Sequence, residues 1–100
     1  MTCYLMVKSD TTLVNKREFE NWYANEHLSE AKKALMAKNA KRGWINNTNF
    51  HLAIYEFENN KEAEKAINSK NLEILIKKFD QKWKNKVKRT RELTKLIQII

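Results

Sequence analysis

The stretch FHLAIYEFE, residues 50–58, most constrains what this chain can fold into. Its alternation predicts a strand, because successive side chains of an extended chain point to opposite faces. His51, Ala53, Tyr55 and Phe57 share one face and Phe50, Leu52 and Ile54 the other, so both faces are largely apolar. The first apolar run, TCYLMVK at residues 2–8, repeats the pattern with Cys3, Leu5 and Val7 against Tyr4 and Met6. An antiparallel sheet with one face in water would instead alternate apolar with polar. A sheet made from these strands needs cover on both sides. Helices of the same chain can cover one. The other would be an exposed hydrophobic patch too large for a monomer, and a two-fold partner offering the same face would bury it.

The rest of the chain supplies those helices. After TCYLMVK the segment SDTT breaks the strand, and from Asn15 the residues Phe19, Trp22 and Tyr23 recur at helical spacing, with Glu26, His27 and Glu30 on the same side. This predicts a helix from Asn15 to about Leu28, after which Ser29 caps a further short turn over EAKKAL. NAKRGWIN, residues 39–46, reads as a second strand with a bulge at Gly43, the one glycine of the chain. NNTN is a turn, since asparagine tolerates the left-handed region. NNKEAEKAINS and LEILIKKFDQKW have helical periodicity. In KVKRTRELTKLIQII the residues Leu93, Leu96, Ile97 and Ile100 fit a helix while Val87, Thr90, Thr94 and the β-branched end fit a strand, and a strand is expected. The resulting order is β-α-β-β-α-β, the split βαβ arrangement of α+β ferredoxin-like folds, with an antiparallel sheet and helices on one face.

One hundred residues suit one domain over 1–100, and 42% hydrophobic residues with ten aromatics exclude a disordered chain. The start MTCYLMV lacks the basic region and cleavage site of a signal peptide, and no apolar run approaches the roughly 20 residues of a membrane span. With Cys3 as the lone cysteine, in an apolar strand, the expectation is a soluble, cytoplasmic protein with an inert buried thiol. The net charge of +8 invites a polyanion. It sits in two clusters, one from Lys32 to Arg42 and one from Lys77 to Lys95. Sixteen of the twenty basic residues are lysine, which lacks the planar fork that reads phosphates and bases, so the clusters read as solvated surface and nucleic acid as the less favoured partner.

Two families resemble parts of the pattern. LAIYEFENNKEAEKAI resembles the third strand and second helix of an RNA-recognition motif, but Leu52 and Ile54 stand at the base-stacking positions and His51 at the motif's glycine, which removes the stacking mechanism. Nearly the whole chain resembles the dimeric α/β-barrel superfamily, in particular its small EthD-like proteins: WYANEHL matches the W-x-x-x-H-like run of the first helix, YEF the third strand, and Trp83 through Arg91 the late W…V-x-R-T-R strand. Leu28 and Ser29 replace the proline common after the histidine. The resemblance implies a homodimer formed by packing two sheets face to face, a pocket in each subunit between sheet and helices, and no tightly held cofactor. It also implies chemistry of a cofactor-independent monooxygenase, isomerase or cyclase type, or none, because fold alone does not select a reaction. The haem-degrading branch is disfavoured, since residues 60–82 hold no histidine.

Within that frame His27 is the candidate general base, a role that suits a histidine near neutrality. Tyr23, Tyr55 and Trp22 are candidate hydrogen-bonding or stacking groups for a small organic ligand, anionic or aromatic. His51 is an auxiliary polar contact, on the expectation that both histidines border one cavity. The competing reading makes His27 a helix-end hydrogen bonder and the aromatic residues core. A metal site from His27, His51 and Glu26 lacks recognisable ligand spacing, so none is expected. A closed, filled core would favour a dimeric scaffold without chemistry. If His27 lines a cavity, replacing it by alanine should harm function far more than stability.

Overall fold

The computed structural model describes residues 2–100. Its elements are β1 (Cys3–Asp10), α1 (Lys16–Trp22), a π-helical turn (Tyr23–His27), α2 (Leu28–Leu35), β2 (Asn39–Trp44), β3 (Phe50–Phe57), α3 (Asn60–Ile67), α4 (Lys70–Lys82) and β4 (Lys88–Lys95). The four strands form one antiparallel sheet in the order β2-β3-β1-β4, which is the ferredoxin-like α+β topology with each helical unit split in two.

Alternation sets the faces as the sequence predicts. Cys3, Leu5, Val7 and Ser9 of β1 and His51, Ala53, Tyr55 and Phe57 of β3 are buried beneath the helices, with Phe19, Leu35, Ala63, Leu75 and Phe79 packed on them. On the opposite face Tyr4, Met6, Leu52 and Ile54 are half-buried, and Tyr4, Met6 and Ile54 border an open apolar groove with Lys41, Thr94 and Leu96.

Helix starts follow side-chain chemistry. Asn15 Oδ1 accepts from Glu18 N at 2.9 Å, Asn59 Oδ1 from Glu62 N at 2.9 Å, and Ser69 Oγ from Leu72 N at 3.2 Å, each satisfying a backbone donor that no helical carbonyl can reach. Asn47, in the predicted turn, takes the left-handed conformation at φ 61°.

Several boundaries differ from expectation. Ser29 caps nothing: without glycine or proline to stop it, the first helix continues to Leu35, and Ala31 and Leu35 are buried on its sheet side. It ends at Met36, whose φ of 55° puts a non-glycine residue in the left-handed cap position. Gly43 makes no bulge, because pairing runs unbroken from Asn39 opposite Glu56 to Trp44 opposite His51. β1 continues through Ser9 and Asp10, which lie opposite His51 and Phe50 on β3 and opposite Arg89 and Lys88 on β4; ladder pairing on both sides overrides their turn preference. At the other end β4 stops at Lys95, and Leu96 N donates to Thr2 O at 3.0 Å. No helix among the described residues is long and apolar enough to cross a membrane.

Candidate functional site

Tyr23 and His27 bracket the π turn, in which the Leu28 N–H reaches back to the Tyr23 carbonyl, five residues away. The widened turn buries both side chains among the aromatic residues beneath the helix, and such single π turns recur at functional sites. The His27 ring is 6% exposed, stacks on Trp22 at 4.4 Å and 15°, and meets the Tyr23 ring edge-on at 4.8 Å and Phe79 at 5.5 Å. Its Nδ1 stands 3.9 Å from Glu30 Oε1, beyond hydrogen-bond range, and both atoms are buried without a partner. Burial pushes the His27 pKa down from 6.5 to about 4. Glu30 opposes the shift, and Arg89 and Lys78 add to it. The ring is therefore neutral at pH 7, with one polar nitrogen lacking a protein partner.

His27 lines a cavity between the helices and the sheet together with Tyr23, Tyr55, Arg89 and Arg91 and an aliphatic wall that includes Leu75. Its volume of about 30 Å3 holds one or two water-sized guests. The Tyr23 and Tyr55 hydroxyls approach to 3.4 Å, and either can donate to the other. Burial raises both phenol pKa values, so both are neutral donors.

His51 does not border this cavity, which corrects the expectation that both histidines would. It lies beyond Tyr23, ring to ring at 4.2 Å, wholly buried beside the β2 edge. There Arg42 Nη1 is 3.2 Å from His51 Nε2, and because a guanidinium only donates, His51 Nε2 accepts and its proton sits on Nδ1. Arg42 also donates from both terminal nitrogens to the Glu20 carboxylate, which accepts a third bond from Trp44 Nε1 at 2.8 Å. Those donors hold the Glu20 pKa down at about 2, Arg42 first and Trp44 next. Burial, and then the Arg42 charge, lower the His51 pKa to about 4. Trp22 is likewise absent from the cavity lining and acts as the plate on which His27 stacks.

The stacking also revises the mutational expectation for His27. A ring held between Trp22, Tyr23 and Phe79 has packing to lose, so alanine would cost stability whatever the role of the ring, and glutamine is the sharper probe.

The sequence reading missed the arginines. Arg89 projects from β4 with its side chain only 9% exposed, lies 3.7 Å over the Phe79 ring, and donates to Asp80 Oδ1 at 2.6 Å. Arg91, two residues on, shares the same sheet face. The signal was parity: Val87 and Leu93 bracket the two arginines at two-residue spacing, which marks a strand face turned toward the core. Among the described residues no cluster of three or more histidine, cysteine, aspartate or glutamate side chains is placed to hold a metal ion.

Two solved structures share this fold. An ethyl tert-butyl ether D (EthD) family protein from Bacillus halodurans superposes with a TM-score of 0.76 over 97% of this chain and 100% of its own, at 16% identity. A NIPSNAP family protein from Agrobacterium tumefaciens superposes with a TM-score of 0.67 over 94% of this chain and 91% of its own, at 5% identity. No family profile matches the chain, nor does any curated protein. At these identities the likeness establishes the fold, and with it the ferredoxin-like architecture that the EthD resemblance implied.

Proposed function

We propose that this chain is a homodimeric small-ligand protein of the EthD-like kind, with an enzyme-type site in the cavity between sheet and helices and no tightly held cofactor. His27 accepts the proton, Tyr23 and Tyr55 donate hydrogen bonds, and the ligand is compact and anionic. The observation that carries this reading is a buried, neutral imidazole whose Nδ1 has no partner, facing a cavity that also holds two neutral phenols. An imidazole with a pKa near 4 is a weak base on its own. A negative ligand beside it would favour its protonated form and bring it closer to working range. The open apolar face formed by Tyr4, Met6, Leu52 and Ile54 supports the dimer, and Leu52 and Ile54 stand where an RNA-binding sheet would need stacking rings.

The test is a thermal-shift screen of small carboxylates, lactones and phenols. Hits should disappear in His27→Gln and Tyr55→Phe. A screen without any His27-dependent hit refutes the site. A second reading, a dimeric scaffold without chemistry, draws on the cavity's volume of about 30 Å3, which is far below the several hundred Å3 of usual ligand pockets. It predicts that same silent screen together with an intact dimer.

A further inference from the structure

From the charge pattern on β4 we infer that Arg91 receives the anionic group of the cavity's ligand, a small carboxylate, while Arg89 is a fixed cation that shapes the wall. The inference rests on the cavity reading above and names its substrate class. The two guanidinium groups share one face of an edge strand and both line the cavity, yet their surroundings differ. Arg89 is committed: its plane lies on Phe79 and its Nη2 donates to Asp80. Arg91 makes no ion pair among the described residues, and it is exposed while lining the cavity.

The other groups around the cavity do not neutralise it. Lys78 Nζ pairs with Glu30 Oε2 at 2.6 Å, His27 and the two phenols are uncharged, and Asp80 is matched by Arg89. One positive charge is left over at the opening. A guanidinium also offers the paired N–H geometry that grips a carboxylate in two places, which the sixteen lysines of this chain cannot do. With the carboxylate held at the mouth, the remainder of the ligand points inward toward the His27 ring and the Tyr23 and Tyr55 hydroxyls. His27 and Arg91 thus act on opposite ends of one small molecule.

The experiment uses the full chain with acetate as probe and acetamide as its uncharged match, following the His27 ring and arginine side-chain resonances by NMR. Acetate should shift the His27 and Arg91 signals saturably and acetamide should not. Arg91→Gln should weaken acetate binding by about tenfold or more, as loss of a charge-assisted contact does. Arg91→Lys should restore part of it, and Lys88→Gln, three residues earlier on the same strand but on the opposite face, should change nothing. Equal shifts from both probes, or acetate binding indifferent to Arg91→Gln, overturn the inference and leave the cavity reading standing. Silence of the His27 ring toward both probes overturns the two together. Circular dichroism of Arg91→Gln, expected to match the wild type because Arg91 is exposed, separates lost binding from lost folding.

Discussion

Acidification should destabilise this protein well above the range in which Asp10 and Glu20 take up protons, and two buried histidines set the size of the effect. In the unfolded chain His27 and His51 take up protons at about 6.5; in the folded chain burial lowers both to about 4. Their contribution to stability is therefore fully present above about pH 6.5 and is lost as pH falls through the window down to 4, because the unfolded state binds protons that the native state refuses. Between about pH 7 and pH 5 each ring costs about 2 kcal/mol, and the pair about 4 kcal/mol. That is a large part of the roughly 5–15 kcal/mol that holds a domain together, and it corresponds to a melting-temperature drop on the order of 15–30 °C. The shifted carboxylates, Asp10 and Glu20, have lowered pKa values and act below about 4.5, so the window above that belongs to the histidines. The assay is thermal unfolding by circular dichroism at fixed protein concentration across this pH range. His27→Phe, which keeps a ring between Trp22 and Phe79, should remove about half of the slope. A melting temperature that stays level between pH 7 and pH 5, or a full drop persisting in His27→Phe, would refute the assignment of buried neutral rings.

Other expectations follow from the same geometry. Leu52→Lys together with Ile54→Glu should convert a homodimer to a monomer in light scattering without loss of secondary structure; a wild-type monomer at micromolar concentration would remove the reason for the two-faced sheet. Glu20→Gln should lower stability by about 1–3 kcal/mol in urea unfolding, since it weakens three charge-assisted bonds and leaves Arg42 beside His51 without its counter-ion. Met36→Gly should raise stability by about 0.5–1 kcal/mol, because Met36 is 82% exposed and holds a left-handed φ that costs an L side chain. Binding to random duplex DNA should be weak and vanish at physiological salt, as solvated lysine clusters without a base-reading surface predict; tight, salt-resistant binding in a fluorescence titration would reverse the ranking of partners.

The fold was legible in the sequence wherever burial alternates. FHLAIYEFE and TCYLMVK announce their two faces because a strand's side chains have a period of two that no tertiary contact can change. The first helix was harder. Its periodicity is plain as far as Tyr23, but the π turn at YANEH leaves no trace in composition: no glycine or proline marks it. Tyr23 and His27, four residues apart, would share a face in an ordinary α-helix as well, so their joint burial does not account for the wider turn. Local propensity is silent there, and what the fold shows is Trp22 packed on both rings and Phe79 on His27. The bulge expected at Gly43 failed for the opposite reason. A glycine permits an irregularity without requiring one, and a Cβ placed there would meet open space.

The arginines were hidden by their neighbours. KVKRTR reads as one solvated run when lysine and arginine are counted as equals, yet the strand separates them: Lys88 and Thr90 fall on one face, Arg89 and Arg91 on the other with Val87 and Leu93. Only arginine can occupy the inward position while charged. Its weakly hydrated plane spreads over Phe79 at 3.7 Å, and its remaining N–H groups can reach Asp80, whereas an ammonium at the same depth would forfeit the ring contact and face the whole desolvation penalty as a point charge. Burial already lowers the Arg89 pKa from 12.5, a shift that leaves a guanidinium ionised at neutral pH but would take a lysine toward deprotonation. The same choice recurs across the sheet at Arg42, which serves Glu20 and His51 from the β2 edge. Two kinds of cation therefore share this chain: lysines held in water at the surface, and the pair Arg42 and Arg89, which order polar atoms under the helices and whose charges add to the burial that keeps His51 and His27 uncharged.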